Sequence, residues 1–77
     1  MKEIVEYIAS QIVDDPSQMS VTETEQSGRN LVELRVAKED MGRVIGKGGR
    51  VANSVRVLLR VAAAREGKRA SLDIVEP

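Results

Sequence analysis

The sequence predicts a small α+β domain with its elements in the order α-β-β-α-α-β. Three observations lead there. Apolar residues recur at helical spacing near the N-terminus and again over 50–65, three short runs alternate apolar with polar residues, and a glycine-rich turn at 46–49 separates two helical patterns. The chain has 77 residues. That length suits a single domain, 1–77, in which folding hides only about 60% of the surface the unfolded chain exposes. Eleven Val, five Ile and five Leu, with seven Ala for close packing, supply the core.

Residues 2–13 form the first predicted helix, with Ile4, Val5, Ile8 and Ile12 on one arc and Ala9 at its margin. Asp14-Asp15-Pro16-Ser17 stops it, because proline cannot continue the hydrogen-bond ladder. A strand over 19–26 turns Met19 and Val21 inward, and its acidic Glu23 and Glu25 suggest an exposed sheet edge. Ser27-Gly28-Arg29 has turn chemistry, and the second strand, 30–37, alternates Val32, Leu34 and Val36 against Glu33 and Arg35. Antiparallel pairing of the two follows. A short helix runs from Lys38 to Ile45, and a long one from Arg50 to Arg65 with Gly67 as its stop. The final strand, 69–75, buries Ala70, Leu72 and Ile74.

Composition excludes several function classes. Cysteine and histidine are absent, which removes disulfides, thiolate nucleophiles, histidine acid–base chemistry and nearly all zinc sites. The carboxylates fall where solvation or helix capping accounts for them, so no enzyme, cofactor, metal or small-molecule substrate is expected. No apolar run reaches the roughly 18–20 residues of a membrane span, and an intracellular, cytoplasmic chain is expected. Tyr7 is the single aromatic residue, so bases cannot be stacked on an aromatic platform.

Formal net charge is zero, but the charges are segregated. Residues 1–40 carry four basic and nine acidic side chains, whereas 41–65 carry Arg43, Lys47, Arg50, Arg56, Arg60 and Arg65 and no acid. Arginines could merely solubilise a helix. Four in one helix without a compensating Glu at i,i+4 spacing favour an anionic partner instead.

The sharpest feature is Val44-Ile45-Gly46-Lys47-Gly48-Gly49-Arg50-Val51. One glycine would suffice to turn the chain between two helices; three in four residues permit close approach of another molecule to the main chain. The next helix aims unsatisfied N–H groups and its positive dipole end at the turn, where a phosphate is well received. Lys47 and Arg50 add mobile positive charge. A nucleotide-binding P-loop is rejected, since the glycine spacing is one residue short and no Ser or Thr follows Lys47.

Ile45-Gly46-Lys47-Gly48-Gly49 followed by a long aliphatic helix resembles the GXXG signature of KH domains. The element order is similar to the type II arrangement, which implies a three-stranded mixed sheet covered on one face by three helices. Over essentially its whole length the chain resembles the small stand-alone bacterial KH domains of the KhpA family. That resemblance implies binding of about four nucleotides of single-stranded RNA, with the turn clamping the backbone. It also implies an RNA chaperone role, self-association, pairing with the larger KH-containing protein KhpB, and a link to cell-shape and cell-wall control. Gly46, Lys47, Gly48 and Gly49 would then contact phosphate and sugar, with Arg50 and Arg43 as auxiliary contacts. Val44 and Val51 are candidates for an apolar groove lining, although core packing suits each better. Position 48 is glycine where many KH domains carry a polar or basic residue, which leaves fewer side-chain contacts.

The long helix carries two apolar stripes. Val51, Val55, Leu58 and Ala62, with Ala52, Leu59 and Ala63 beside them, are expected to meet the sheet. Val57, Val61 and Ala64 lie roughly opposite and predict a helix-to-helix dimer seam flanked by Arg56, Arg60 and Ser54. Two functions from different classes are consistent with these features: single-stranded RNA binding through the turn, and an adaptor with a KH fold that acts mainly by dimerising.

Overall fold

A computed structural model describes residues 1–76. Its order is α1 (Lys2–Ser10), β1 (Ser20–Gln26), β2 (Arg29–Arg35), α2 (Met41–Ile45), α3 (Arg50–Arg65) and β3 (Arg69–Val75), with short 3-10 turns at Pro16–Gln18, Lys38–Asp40 and Lys47–Gly49. β1 and β2 pair antiparallel and β3 joins β2 in parallel, so the sheet order is β1-β2-β3 and the sheet is mixed. With three helices on one face, the architecture is the type II KH fold.

Each strand follows from a two-residue alternation. Asn30, Val32 and Leu34 of β2 are buried while Arg29 and Arg35 are exposed, and Val21 and Leu72 bury the corresponding positions of β1 and β3. Ser27 and Gly28 join β1 to β2 with φ of 54° and 78°, the paired positive values of the tight hairpin turn whose twist matches the strands. Val5, Ala9, Val32, Leu34, Val36, Val44, Val55, Leu59 and Leu72 make one continuous core between sheet and helices.

Four expectations are corrected. α1 ends at Ser10 rather than at 13, because the amides of Asp14 and Asp15 leave the helical path to donate to the two oxygens of the Asp40 carboxylate, each at 3.0 Å. Ala9, expected at the margin of the apolar arc, is instead, with Val5, one of the two buried residues of α1. β1 is the edge strand expected and Glu25 is exposed, but Glu23 is only partly solvated: its carboxylate accepts hydrogen bonds from the Asn30 side chain and, at 2.9 Å, from the Lys2 amide. The Asn30 bond, followed by the Lys2 amide, holds the Glu23 carboxyl below the usual glutamate range.

The fourth correction concerns α3. Its buried residues, Ala52, Val55, Leu59 and Ala63, all belong to the face expected to meet the sheet, but they lie to one side of it, and Val51, Leu58 and Ala62, expected at its centre with Val55, are not among them. The buried face is thus centred about 35° from the expected one, at 100° per residue. Alanine at 52 and 63 lets the backbone of α3 come close to the sheet, which a hydrophobicity pattern does not register. Leu58 is displaced to the surface, 49% exposed. At the C-terminal end the Lys68 amide donates to the Ala63 carbonyl at 2.8 Å and Gly67 to Ala64 at 3.1 Å, so the helix stops where predicted and β3 returns along it.

Candidate nucleic-acid interface

The turn between α2 and α3 is built around Gly46. Its φ of 78° and ψ of 169° fall in a region that is essentially glycine-only, outside the left-handed helical region. The Gly46 amide closes α2 on the Gly42 carbonyl at 2.9 Å. Gly49 donates to Gly46 at 3.1 Å and Arg50 to Lys47, which folds Lys47–Gly49 into a single tight turn leading into α3. Gly49, at φ 80° and ψ 12°, is the N-cap residue of that helix.

Two amides of the turn remain. Among the described residues, neither Lys47 nor Gly48 donates its main-chain N–H to an acceptor in the protein. A side chain added at Gly48 would meet nothing within 4 Å, and Lys47 and Gly48 are both exposed. Lys47 and Arg50 are exposed beside them, and neither has a carboxylate within ion-pair distance among the described residues. The result is an exposed patch of unbonded N–H groups and positive charge at the start of α3, suited to an anionic oxygen.

Asn53 and Arg56 extend this patch along α3. They share a narrow face of the helix with Gly49 and Arg60, at i+4, i+7 and i+11. Asn53 lies beneath the turn, its Nδ2 3.6 Å from where a Gly49 side chain would begin. Arg56 donates from Nη1 to Asn53 Oδ1 and from Nη2 to the Leu72 carbonyl, both at 3.3 Å. The second bond reveals that the Leu72 main chain faces away from β2. By the alternation of a strand, the main-chain groups of Ala70 and Ile74 lie on the same open edge. A groove therefore runs between α3 and the free edge of β3, floored by Asn53 and Arg56 and headed by the glycine turn.

The sequence singled out neither Asn53 nor this role for Arg56. The available signal was the spacing Gly49, Asn53, Arg56, Arg60, which aligns a glycine with three polar residues on one helical face. Arg56 and Arg60, expected to flank the opposite apolar stripe, turn toward β3 instead; Arg60 lies with Lys68, Arg69 and Ala70 in a shallow concavity.

The other expected site residues divide. Val44 is buried in the core and does not line a groove. Val51 is half-buried against Gly46, and it borders a shallow apolar depression shared with Ile8, Ser54, Val55 and Leu58 on the α1 side of α3. Arg43 is engaged within the protein, with Nε 3.4 Å from Asp40 and Nη2 3.6 Å from Asp14. Val57, Val61, Ala64 and Ser54 are exposed together with Leu58, and the three large residues are half accessible, at 53% for Val57, 49% for Leu58 and 50% for Val61. No described helix is long and apolar enough to cross a membrane.

Comparison with known proteins agrees with the geometry. A sequence model described as the KH domain of KhpA/KhpB matches residues 2–74. The RNA-binding protein KhpA of Clostridium acetobutylicum is 43% identical over 75 residues, which is 97% of this chain and the whole of that protein. KhpA of Caldanaerobacter subterraneus is 44% identical over the same shares of each chain. For KhpA of Aquifex aeolicus the figure is 41% over 76 residues, 99% of this chain and 96% of the relative. A fold in this order, a GXXG turn in this conformation and matches of this length together mean that the chain belongs to the KhpA/KhpB family of KH domains.

Proposed function

We propose that this chain binds single-stranded RNA, with the Gly46–Gly49 turn holding the sugar–phosphate backbone and the groove between α3 and the β3 edge receiving the bases. It is a binding domain, not an enzyme. The observation that carries the reading is the pair of amides at exposed Lys47 and Gly48 that, among the described residues, have no acceptor, flanked by the cations of Lys47 and Arg50, which have no carboxylate within ion-pair distance there. The names of the relatives, all RNA-binding proteins, point the same way. Arg43, held by Asp40 and Asp14, is at most a secondary contact. Without aromatic stacking, phosphate contacts dominate, so binding is weak in sequence preference and strongly salt-dependent. On the family resemblance alone, the reading extends to an RNA chaperone with effects on cell shape and the cell wall.

The test is a fluorescence titration of the double variant Lys47→Asp, Gly48→Asp against an unstructured oligoribonucleotide at two salt concentrations. Aspartate tolerates the left-handed backbone at 48 and meets no neighbour there, so the fold persists. Affinity should drop at least roughly tenfold and its salt dependence should flatten. Equal affinity in variant and parent would sink the clamp.

A second reading is favoured by the exposed line of Val57, Leu58, Val61 and Ala64. We propose that this line packs against its counterpart on a second copy about a twofold axis, with Ser54 at its border. Such a dimer would present two RNA grooves and raise avidity. If the chain acts mainly as an adaptor, the same line would also take the larger partner KhpB. Val61→Asp should halve the mass measured by light scattering; an unchanged mass would remove the seam.

A further inference from the structure

The far end of the β3 edge carries a second concentration of positive charge that the glycine turn does not use. β2 and β3 are in parallel register with Arg29 directly beside Arg69. Like charges in register across a ladder are destabilising, so this rung costs the fold something. Among the described residues neither arginine has a carboxylate partner within 4.0 Å, and neither does Arg60. Lys68 is partly neutralised by Glu25 at 2.9 Å.

These groups are contiguous. Arg60 shares a shallow concavity with Lys68, Arg69 and Ala70, and Arg69 shares the next with Arg29, Ala70 and Ser71. Arg60 stands about 15 Å along α3 from Arg50, at 1.5 Å per residue. Arg69 lies about 20 Å along β3 from Val75, the end nearest the glycine turn. Arg56, bonded to the β3 edge at Leu72, bridges the interval. By strand alternation Arg29 and Arg69 project on the sheet face away from α3, the face that farther along carries the Glu33–Asp73 rung, so a single strand reaches them around the Arg69 end of the β3 edge and not across the sheet.

We propose that Arg29, Arg60 and Arg69 form a second phosphate-contact site, which receives the same single strand several nucleotides beyond the Gly46–Gly49 turn. The inference rests on the RNA reading above and lengthens its footprint. A strand of about four nucleotides fills the groove from the turn, whereas a longer one reaches the Arg29–Arg69 rung. The site adds affinity without base readout, because its contacts are to phosphate.

The experiment compares an oligoribonucleotide of about four residues with one of about twelve, on the parent, on Arg29→Gln, Arg69→Gln, and on Lys47→Asp, Gly48→Asp. The arginine variant should lose roughly tenfold on the long strand and nothing on the short one. Its slope of log affinity against log salt should fall by about 1.4 on the long strand, for two single-strand phosphate contacts. Its melting temperature should stay level or rise, since the like-charge rung is gone, which separates the effect from unfolding. Unchanged long-strand affinity, or an equal loss on both lengths, would overturn the second site. Failure of the RNA reading looks different: the turn variant would then bind the short strand as well as the parent does.

Discussion

Gly46 and Val51 stand so close that a β-carbon on Gly46 would lie 2.5 Å from Val51 Cγ2 and 2.9 Å from the Val51 amide nitrogen. Two residues away, a β-carbon on Gly48 would meet nothing within 4 Å. The turn thus has an inner glycine that seats it against α3 and an outer one that leaves its amides uncovered.

Gly46→Ala should therefore destabilise the domain by about 2–4 kcal/mol, from a strained backbone and an overpacked contact together. Gly48→Ala should cost only about 1 kcal/mol, for its left-handed conformation alone. Urea denaturation of the two variants measures the difference. Equal costs would mean that the Gly46–Val51 contact does not seat the turn.

Asp40 is 1% exposed, and its carboxylate ties the 14–15 turn to the start of α2 through two main-chain amides and Arg43. Asp40→Asn keeps the shape but presents an NH2 group where an acceptor is required. A loss of about 2–3 kcal/mol is expected in denaturant unfolding. Asp14→Asn, which removes only an exposed pairing with Arg43, should change stability by less than about 0.5 kcal/mol.

Arg56 combines two long hydrogen bonds at 3.3 Å with a position on the groove floor. Arg56→Ala should lower stability by under about 1 kcal/mol. Its RNA titrations should lose about 0.7 from the salt slope if one phosphate contact is removed. An unaltered slope, with the fold intact by circular dichroism, would limit Arg56 to bracing the β3 edge.

Glu23 sets an acid limit on stability. Folding favours its ionised form, through the Asn30 side chain first and the Lys2 amide next, so its carboxyl titrates below the ordinary glutamate range. The stabilisation is present above that range and is lost as pH falls through the folded value. Glu23→Gln should cost about 1 kcal/mol near neutral pH, and the gap to the parent should close in acid. A gap that persists at low pH in thermal melts would assign the effect to shape instead of charge.

The order α-β-β-α-α-β, the span of α3, the hairpin turn and the glycine corner were all legible in the sequence because each is set by neighbours close along the chain. Alternation, helical spacing and turn residues are local signals, and the KH resemblance was carried by one such contiguous motif. Errors arose where distant groups compete. α1 stops early because Asp40, some 25 residues away, takes the amides of Asp14 and Asp15. α3 is turned so that its buried face centres on the expected flank of Ala52, Leu59 and Ala63 and Leu58 is left at the surface, since close backbone approach at the alanines outweighs the hydrophobicity of Leu58.

For the site the division is similar. The chain's own composition leaves main-chain amides, lysine and arginine as the groups able to meet an anion, with no aromatic platform and no histidine or cysteine chemistry. Tertiary packing decided which cations are available. Arg43 is consumed by buried and surface carboxylates, Arg56 is drawn across to a β3 carbonyl, and Arg29 is set beside Arg69 by strand register. A charge on a long side chain is a property of the residue, but its freedom to meet a ligand depends on every group the fold brings within its reach.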